Sequence, residues 1–237
     1  MIRLLTEHFQ DLTLDADHEG YYLGRGAKES SILRLWVKTW HPLSEDAPDD
    51  DFRSRYGSRG ERLEGWVLWP LLSPRGGLIG FAGRKFGEKT ITRYLLPDGA
   101  WNPIWTGLTP DAMQRIWDGG DVWVVEGMFD LLPLEWVVPE CDVVLGSERS
   151  QLTDKHVEFL RRYIRRPGQQ VWMVYDNDEP GQKGMLGWVD ETGKKKWGAV
   201  QRLERVKVTA RVMPYQGKDP GDVWSRGGVT AVKAMFL

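Results

Sequence analysis

The segment VWMVYDNDEPG (residues 171–181) joins a short apolar run to four consecutive polar residues and a Pro-Gly pair. The apolar, β-branched run is typical of a buried strand, and Pro180 with Gly181 interrupts the chain directly after it. Asp176 and Asp178 lie two positions apart, so alternation along the strand would place both on one face. This stretch therefore predicts a buried strand that ends in a pair of carboxylates.

Around this strand, from about residue 109 onward, strand patterns alternate with helical patterns. Strands are predicted at DVWVVEG, CDVVLGS, VWMVYDND and KVTARVMPY. Helices are predicted at TPDAMQRIWDGG with Thr109 as N-cap, at MFDLLPLEWV, at QLTDKHVEFLRRYIRR with Thr153 as N-cap, and at GAVQRLERV. This alternation indicates a buried parallel sheet, in which sites form at the carboxyl ends of the strands.

The first part of the chain has a different pattern. ESSILRLWVKTW has helical spacing with Ser30 or Ser31 as N-cap, and residues 42–62 have the Asp, Pro, Gly and Ser content of a linker. GWVLWPLL and GGLIGFAGRKF, joined by SPRGG, predict a β-hairpin, and TRYLL predicts a third strand. We therefore predict an α/β chain: an α+β subdomain over residues 1–108, with a β-rich unit at 63–96, and a parallel-sheet domain over 109–237.

Composition limits the classes of protein to which the chain can belong. The chain has 237 residues, 41% of them hydrophobic, and a net charge of −2, which neither indicates nor excludes nucleic-acid binding. A single cysteine, Cys141, makes neither a disulfide nor a zinc site, so we expect a reducing compartment and no zinc. The apolar runs are shorter than a membrane span and the N-terminus lacks a signal-peptide pattern, which predicts a cytoplasmic protein without membrane contact.

Acidic residues follow three of the predicted strands. Glu126 ends DVWVVEG, Asp176 and Asp178 end VWMVYDND, and Asp219 and Asp222 follow the last strand in GKDPGDVW. Parallel topology would bring these side chains to one edge of the sheet, where their mutual repulsion requires protonation or a neutralising cation. Mg²⁺ prefers such oxygen ligands and commonly binds substrate phosphates as well, which indicates phosphoryl-transfer chemistry.

Two sets of motifs resemble a known family. VVEGMFD, YDNDEPG and GKDPGD resemble the acidic motifs of the Toprim domain. YYLGRGAKESSILRL, WPLLSPRGGLIGFAGR, TRYLLPDG and VLGSERSQLTDKH are similar, in the same order, to stretches of the RNA-polymerase core of DnaG-type bacterial and phage primases. The resemblance implies that residues 109–237 form a Toprim-like domain.

The resemblance also implies roles for the acidic residues. Glu126, Asp176 and Asp178 would be catalytic and would hold Mg²⁺ or Mn²⁺, with Glu126 either binding metal or handling the proton of an attacking 3′-hydroxyl. Asp130 would support the metal site or cap a helix, and Asp222 is a further candidate metal ligand.

Basic and aromatic residues complete the implied site. The candidates for binding nucleotide phosphates or nucleic acid are Arg62, Arg84, Arg93, Tyr94 and Lys183.

The function that the resemblance implies is that of a DNA primase core, which joins nucleoside triphosphates into short RNA primers on a single-stranded DNA template. A Toprim-type metal-dependent nuclease and a non-catalytic nucleic-acid-binding subunit of a replication system are the alternatives. The zinc-binding module of the family cannot be built from this chain, so a replicative helicase or a separate template-selecting subunit is an expected partner.

Three stretches depart from the family pattern or have two interpretations. Thr106 stands where the family has a lysine, so one basic contact is missing. GWVDETGKKKWG (residues 187–198) looks like an insertion, either a solvated hairpin or a contact for a nucleic-acid backbone. RRYIRR (residues 161–166) either binds a DNA backbone or supplies cations to a helix C-terminus.

Overall fold

The computed structural model of the protein describes most of the chain in two compact units. The described residues are 2–43, 53–55, 57, 60–85, 93–95 and 105–236. The first unit comprises Met1–Leu23, Glu29–Ser73 and Gly77–Trp101, and the second comprises Gly24–Lys28, Pro74–Gly76 and Asn102–Leu237. The domain boundary between residues 108 and 109 stays a prediction.

The first unit packs short helices against an antiparallel sheet of four strands in the order β1-β2-β3-β4. Its helices are α1 (Ile2–Asp11), α2 (Ala16–Gly24) and α3 (Glu29–Arg34), and its strands are β1 (Lys38–Thr39), β2 (Trp66–Leu72), β3 (Leu78–Lys85) and β4 (Arg93–Leu95). The predicted hairpin is confirmed as β2 and β3, which are joined through a turn with Gly76 at a φ of 78°. Phe9, Trp40, Trp66, Leu68 and Phe81 are buried in its core.

The helix predicted over ESSILRLWVKTW is confirmed only in its first half, and its predicted N-cap is wrong. It begins at Glu29, so Ser30 and Ser31 lie inside it, and it ends at Arg34. Trp36 takes a left-handed φ of 52°, and β1 then pairs with β2. Sheet pairing of the β-branched segment therefore overrides its helical spacing. The predicted linker at residues 42–62 lies partly outside the described residues.

The second unit contains the predicted parallel sheet. Its strands are β5 (Val122–Val125), β6 (Val143–Gly146), β7 (Val171–Met173) and β10 (Ala210–Val212), all parallel, in the spatial order β10-β7-β5-β6. The helices are α4 (Pro110–Asp118), α5 (Met128–Leu134), α6 (Asp154–Tyr163), α7 (Glu179–Leu186), α8 (Ala199–Arg205) and α9 (Pro220–Ala234). Thr109 and Thr153 cap α4 and α6 as predicted.

This sheet order determines where the candidate site lies, namely at the edge where β5, β7 and β10 end. Because β7 lies between β5 and β10, the residues that follow these three strands are neighbours at one edge of the sheet. The strand core is fully buried at Val122, Val124, Val171 and Met173, which fixes the register of the edge. The predicted α/β fold is therefore confirmed for this unit.

Two features of the second unit bear on the departures noted in the sequence. Residues 187–198 contain a small antiparallel hairpin, β8 (Trp188–Val189) and β9 (Lys195–Lys196), in which Lys194 and Lys195 are exposed. Thr106 forms an isolated bridge with Gly146 at the end of β6, and its hydroxyl donates to Glu148 Oε1 at 2.5 Å. A neutral side chain bound to a carboxylate therefore stands at the lysine position of the family. Among the described residues, no helix is long and apolar enough to cross a membrane.

Candidate metal centre

Three carboxylates meet at the carboxyl edge of the parallel sheet. Asp130, Asp176 and Asp219 each offer an oxygen within 4.8 Å of the other two. Asp130 lies in the first turn of α5, Asp176 follows β7, and Asp219 is the N-cap of α9 after β10. The predicted convergence of acids from separate strand ends is thus observed for Asp176 and Asp219, although Asp219 was not among the predicted metal ligands.

The loops that follow β7 and β10 are tied to each other. The backbone N–H of Asn177 donates to Lys218 O at 2.7 Å, and its side-chain amide donates to the carbonyls of Tyr215 and Gly217. The Tyr215 hydroxyl donates to Tyr175 O at 2.9 Å and to Lys218 O at 3.0 Å. These bonds hold Asp176 and Asp219 beside each other without requiring contact between the carboxylates themselves.

Glu126 lies next to this group, at the end of β5. Its Oε1 atom is buried and has no hydrogen-bond partner. Burial first, and then the charges of Asp176 and Asp178, raise the pKa of Glu126 to about 7. A buried carboxylate oxygen without a partner is costly, so a bound cation or a proton at Glu126 Oε1 would be stabilising.

Two of the three acids of the group are perturbed in the same direction as Glu126. Burial and the neighbouring charge of Asp219 raise the pKa of Asp176 to about 6. Burial together with the charges of Asp176 and Asp219 raises the pKa of Asp130 well above the usual range. A positive charge bound at this edge would therefore be strongly stabilising at neutral pH.

Lys218 supplies part of that charge. Its Nζ atom lies 3.2 Å from Asp219 Oδ2 and 3.9 Å from Asp176 Oδ2, and these carboxylates raise the lysine pKa. Arg25 is another basic residue of this unit. Its guanidinium lies 5.0 Å above the Phe129 ring, and its Nε is buried without a hydrogen-bond partner. Neither residue was predicted as a site residue, although both lie inside family-like motifs, YYLGRGAKESSILRL and GKDPGD.

The donor set fits Mg²⁺ or Mn²⁺. Hard divalent cations prefer carboxylate oxygens, and Asp130, Asp176 and Asp219 present three such groups at chelating distances. The unpartnered Glu126 Oε1 is a fourth oxygen of the same kind.

Asp178 and Asp222, which were also predicted as metal ligands, have structural partners. Asp178 caps α7, since its Oδ1 accepts from Gly181 N at 3.0 Å. Asp222 lies in the first turn of α9 and forms an ion pair with Arg226 at 2.6 Å. Neither belongs to the group of three, and their roles as ligands stay predictions.

The predicted nucleotide-binding residues lie on several elements. Arg84 is on β3, Arg93 is opposite Gly83 on β4, and Tyr94 is opposite Ala82. Arg62 is exposed in a short 3₁₀ turn (Glu61–Leu63), where it donates to the carbonyls of Ser54 and Arg55. Lys183, on α7 of the second unit, pairs with Glu179 at 2.6 Å. The structure thus brings Arg84 and Arg93 onto neighbouring strands, and their roles stay predictions.

Replacing Gly181 with alanine is expected to disturb this edge directly. A Cβ atom at this position would overlap the carbonyl oxygen of Asp176 and lie 3.0 Å from Glu126 Oε1. We expect a loss of about 1–3 kcal/mol of folding free energy in a denaturant titration. The matched control is Gly20→Ala in α2, where a Cβ would meet nothing within 4 Å. If Gly181→Ala were as stable as the control variant, the close approach of α7 to Asp176 would be refuted.

The raised pKa values predict a dependence of stability on pH and metal. Folded Glu126 and Asp176 bind protons up to about pH 7 and about pH 6, whereas the unfolded chain releases them near pH 4. Without divalent metal, the free energy of unfolding should therefore fall as pH rises from about 4 to about 7. Added Mg²⁺ should raise the melting temperature most at the upper end of that window. The melting temperature of Asp176→Asn should depend less on pH and on Mg²⁺ than that of the unmodified protein. Equal dependence in the variant and the unmodified protein would contradict the prediction.

Comparison with known proteins finds related sequences and folds. A family model described as Toprim-like matches residues 123–224. DNA primase of Aquifex aeolicus is 30% identical over 161 residues, which cover 67% of this chain and 29% of that protein. The chain therefore spans less than a third of the length of that relative.

Solved structures extend the likeness to nearly the whole chain. The RNA-polymerase domain of Mycobacterium tuberculosis primase DnaG matches with a TM-score of 0.68 and 17% identity, covering 99% of this chain and 80% of that one. A DnaG primase catalytic domain bound to single-stranded DNA matches with a TM-score of 0.63 and 20% identity, covering 98% and 77% of the two chains. The predicted resemblance to DnaG-type primases with a Toprim domain is confirmed, and the predicted fold with it.

Proposed function

We propose that this chain, which resembles DnaG-type primases and contains a Toprim-like domain, is the catalytic core of a DNA primase. The observation on which the proposal rests most is the group formed by Asp130, Asp176 and Asp219 at the carboxyl edge of the sheet. The likeness to primase sequences and folds gives this acidic group its context. The proposed reaction joins nucleoside triphosphates into short RNA primers on single-stranded DNA.

In this proposal the acidic edge holds the reacting phosphates through divalent metal. Asp176 and Asp219 would be the principal ligands of Mg²⁺ or Mn²⁺, with Asp130 and Asp178 as further candidate ligands. The bound ion would supply charge neutralisation at the α-phosphate of the incoming nucleotide. Lys218 would move from Asp176 and Asp219 toward substrate phosphate, because the cation takes over its role as counter-ion.

Glu126 would handle the proton of the attacking 3′-hydroxyl. Its carboxyl group has an unpartnered oxygen and a pKa raised to about 7, so it can accept a proton near neutral pH. Arg84 and Arg93, on neighbouring strands of the first unit, would bind the triphosphate, since guanidinium matches phosphate in a bidentate geometry. Arg62, Tyr94 and Lys183 would contribute further contacts to nucleotide or template.

The proposed partners follow from the reaction and from the relatives. Single-stranded DNA would be the template, because a DnaG catalytic domain of similar fold binds single-stranded DNA in its solved structure. A replicative helicase or a separate subunit would select the template. The chain contains one cysteine, so a zinc-binding module of its own is not expected.

One assay tests the proposal against its alternatives. The protein is incubated with single-stranded DNA, labelled ribonucleotides and Mg²⁺ or Mn²⁺, and the products are resolved by length. Short labelled RNA is the expected result. Degradation of the DNA without synthesis would instead support a Toprim-type nuclease, in which the same acids activate water. Binding of DNA without either reaction would support a non-catalytic subunit.

A further inference from the structure

An open groove lies at the edge of the parallel sheet opposite the metal centre. It is formed by the end of α4 and the segment between α6 and β7, which precede β5 and β7 at their amino ends. Its volume is about 620 Å³, and we call it the arginine groove. Its lining residues are Trp117, Arg162, Tyr163, Arg165 and Arg166.

The charge of the arginine groove is entirely positive. No carboxylate is among its lining residues, although the chain as a whole has a net charge of −2. Arg161, the adjacent residue on α6, is different because it pairs with Glu158 at 2.6 Å. Arg165 and Arg166 lie beyond the last residue of α6, so compensation of the helix dipole does not account for them fully. The groove therefore offers three cations to an anionic ligand.

Two aromatic rings accompany these cations. The Trp117 side chain is 46% exposed, which is unusual for so large an apolar group. The guanidinium of Arg162 lies 5.7 Å from the centre of the Tyr163 ring, and Arg166 Nε donates to Trp117 O at 3.0 Å. An exposed indole ring beside several arginines, with a partly buried tyrosine next to it, is a combination that can bind the bases and phosphates of single-stranded nucleic acid.

A buried glutamine fixes the two walls of the groove together. Gln169 is only 6% exposed, and its Oε1 accepts from the backbone N–H groups of Arg165 and Arg166 at 3.1 and 3.2 Å. Its Nε2 donates to Ile116 O at 2.9 Å and to Gly120 O at 2.7 Å. The arginine-bearing segment is thereby held against the end of α4, so little ordering of the backbone is needed when a ligand binds.

We propose that the arginine groove binds single-stranded nucleic acid, with phosphates on the three arginines and a base on Trp117. The proposal rests on the proposed function, since it assigns a second contact for the template or product strand. All three arginines are exposed along one rim, an arrangement suited to successive phosphates of a strand. The longest strands between the groove and the acidic edge are about 13 Å long. An oligonucleotide of several nucleotides is longer than this distance, so a strand bound in the groove can extend past it.

The test measures binding of a fluorescent oligonucleotide of about 12 deoxythymidines by anisotropy across a salt series. EDTA is present throughout, so the metal centre does not take part. Replacing Arg162, Arg165 and Arg166 with alanine should lower the slope of log affinity against log salt by about 2, since each phosphate contact contributes about 0.7. The control replaces Lys155, Lys207 and Lys233, which are also exposed cations of the same unit. Its slope should be close to that of the unmodified protein.

Two tryptophan variants test the stacking contact. Trp117→Ala should weaken binding by about 5- to 100-fold at fixed salt, and Trp117→Phe should restore most of it.

Thermal melts check that each variant is folded. Because Arg166 also bonds to the backbone of Trp117, the double variant Arg162→Ala/Arg165→Ala replaces the triple variant if the latter is unfolded, with an expected slope change of about 1.4.

The outcomes separate this proposal from the proposed function. Equal slopes in the groove variant and the unmodified protein, or equal losses in the groove and control variants, would overturn the groove. Competition by free ATP, with oligonucleotide slopes unchanged by the groove variant, would assign the cavity to mononucleotides and also overturn it. Asp176→Asn should bind the oligonucleotide normally in EDTA. A protein that binds through the groove but makes no RNA would contradict the primase proposal alone.

Discussion

Primer synthesis is expected to fall by about 10³-fold when Asp176 is replaced with asparagine, because metal-ion stabilisation of developing charge contributes several kcal/mol. Asp176 is the central acid of the edge: it lies within 4.8 Å of both other members of the group, and its charge raises the pKa of Glu126 and of Asp130. Asparagine keeps the size and one oxygen of the side chain but removes the charge that would bind the cation. The measurement is the rate of labelled primer formation at saturating nucleotide.

The control for this variant is Asp154→Asn. Asp154 is a fully exposed aspartate of α6 that pairs with Arg202, and its replacement should leave synthesis near the unmodified rate. Because removal of a half-buried negative charge beside other acids relieves repulsion, Asp176→Asn should also melt at a higher temperature than the unmodified protein in EDTA. Synthesis within about tenfold of normal would show that Asp176 is not a ligand of the reacting metal.

Asp130→Asn is expected to lower primer synthesis by about 10- to 100-fold, the range found when groups that support a metal ligand are removed. Asp130 is half-buried, close to Asp176 and Asp219, and its Oδ1 accepts from Gly221 N at 3.4 Å, a bond that asparagine can still form. The substitution therefore separates charge from shape. We expect the Mg²⁺-induced rise in melting temperature to shrink in parallel with the activity.

A matched variant is available in another helix. Asp111 is also a first-turn aspartate, in α4, where it pairs with Arg115 at 2.8 Å and lies outside the acidic group. If Asp111→Asn and Asp130→Asn had equally small effects on synthesis and on the Mg²⁺ response, Asp130 would act only on helix geometry. A selective loss in Asp130→Asn would assign it to the metal centre.

The sequence was sufficient to predict the four parallel strands and four of the helices of the second unit, because the local signals of these elements agree with one another. β-Branched runs, threonine caps and glycine stops all placed the same alternation of strands and helices, and Glu126 and Asp176 follow directly from the ends of two strands. Their proximity needed only parallel topology. The neighbouring order of β5, β7 and β10 then extends the convergence to Asp219.

Other features depend on contacts that no local pattern encodes. GKDPGD contains two acids, and only the capping geometry of α9 makes Asp219, rather than Asp222, the member of the acidic group. Helices α7 and α9 were both missed. Two glycines weaken the helical pattern of α7, yet Gly181 and Gly184 are required by the close approach of the Asp176 and Ser150 carbonyls. The role of Lys218 depends likewise on how its loop is tied to Asn177.

A crystal grown with Mn²⁺ and measured at the manganese absorption edge would show whether the acidic edge binds divalent metal. We expect an anomalous peak about 2–2.5 Å from carboxylate oxygens of Asp176 and at least one of Asp130, Asp219 and Glu126, with Lys218 displaced from its ion pairs. An empty acidic edge in crystals that hold manganese elsewhere would contradict this expectation.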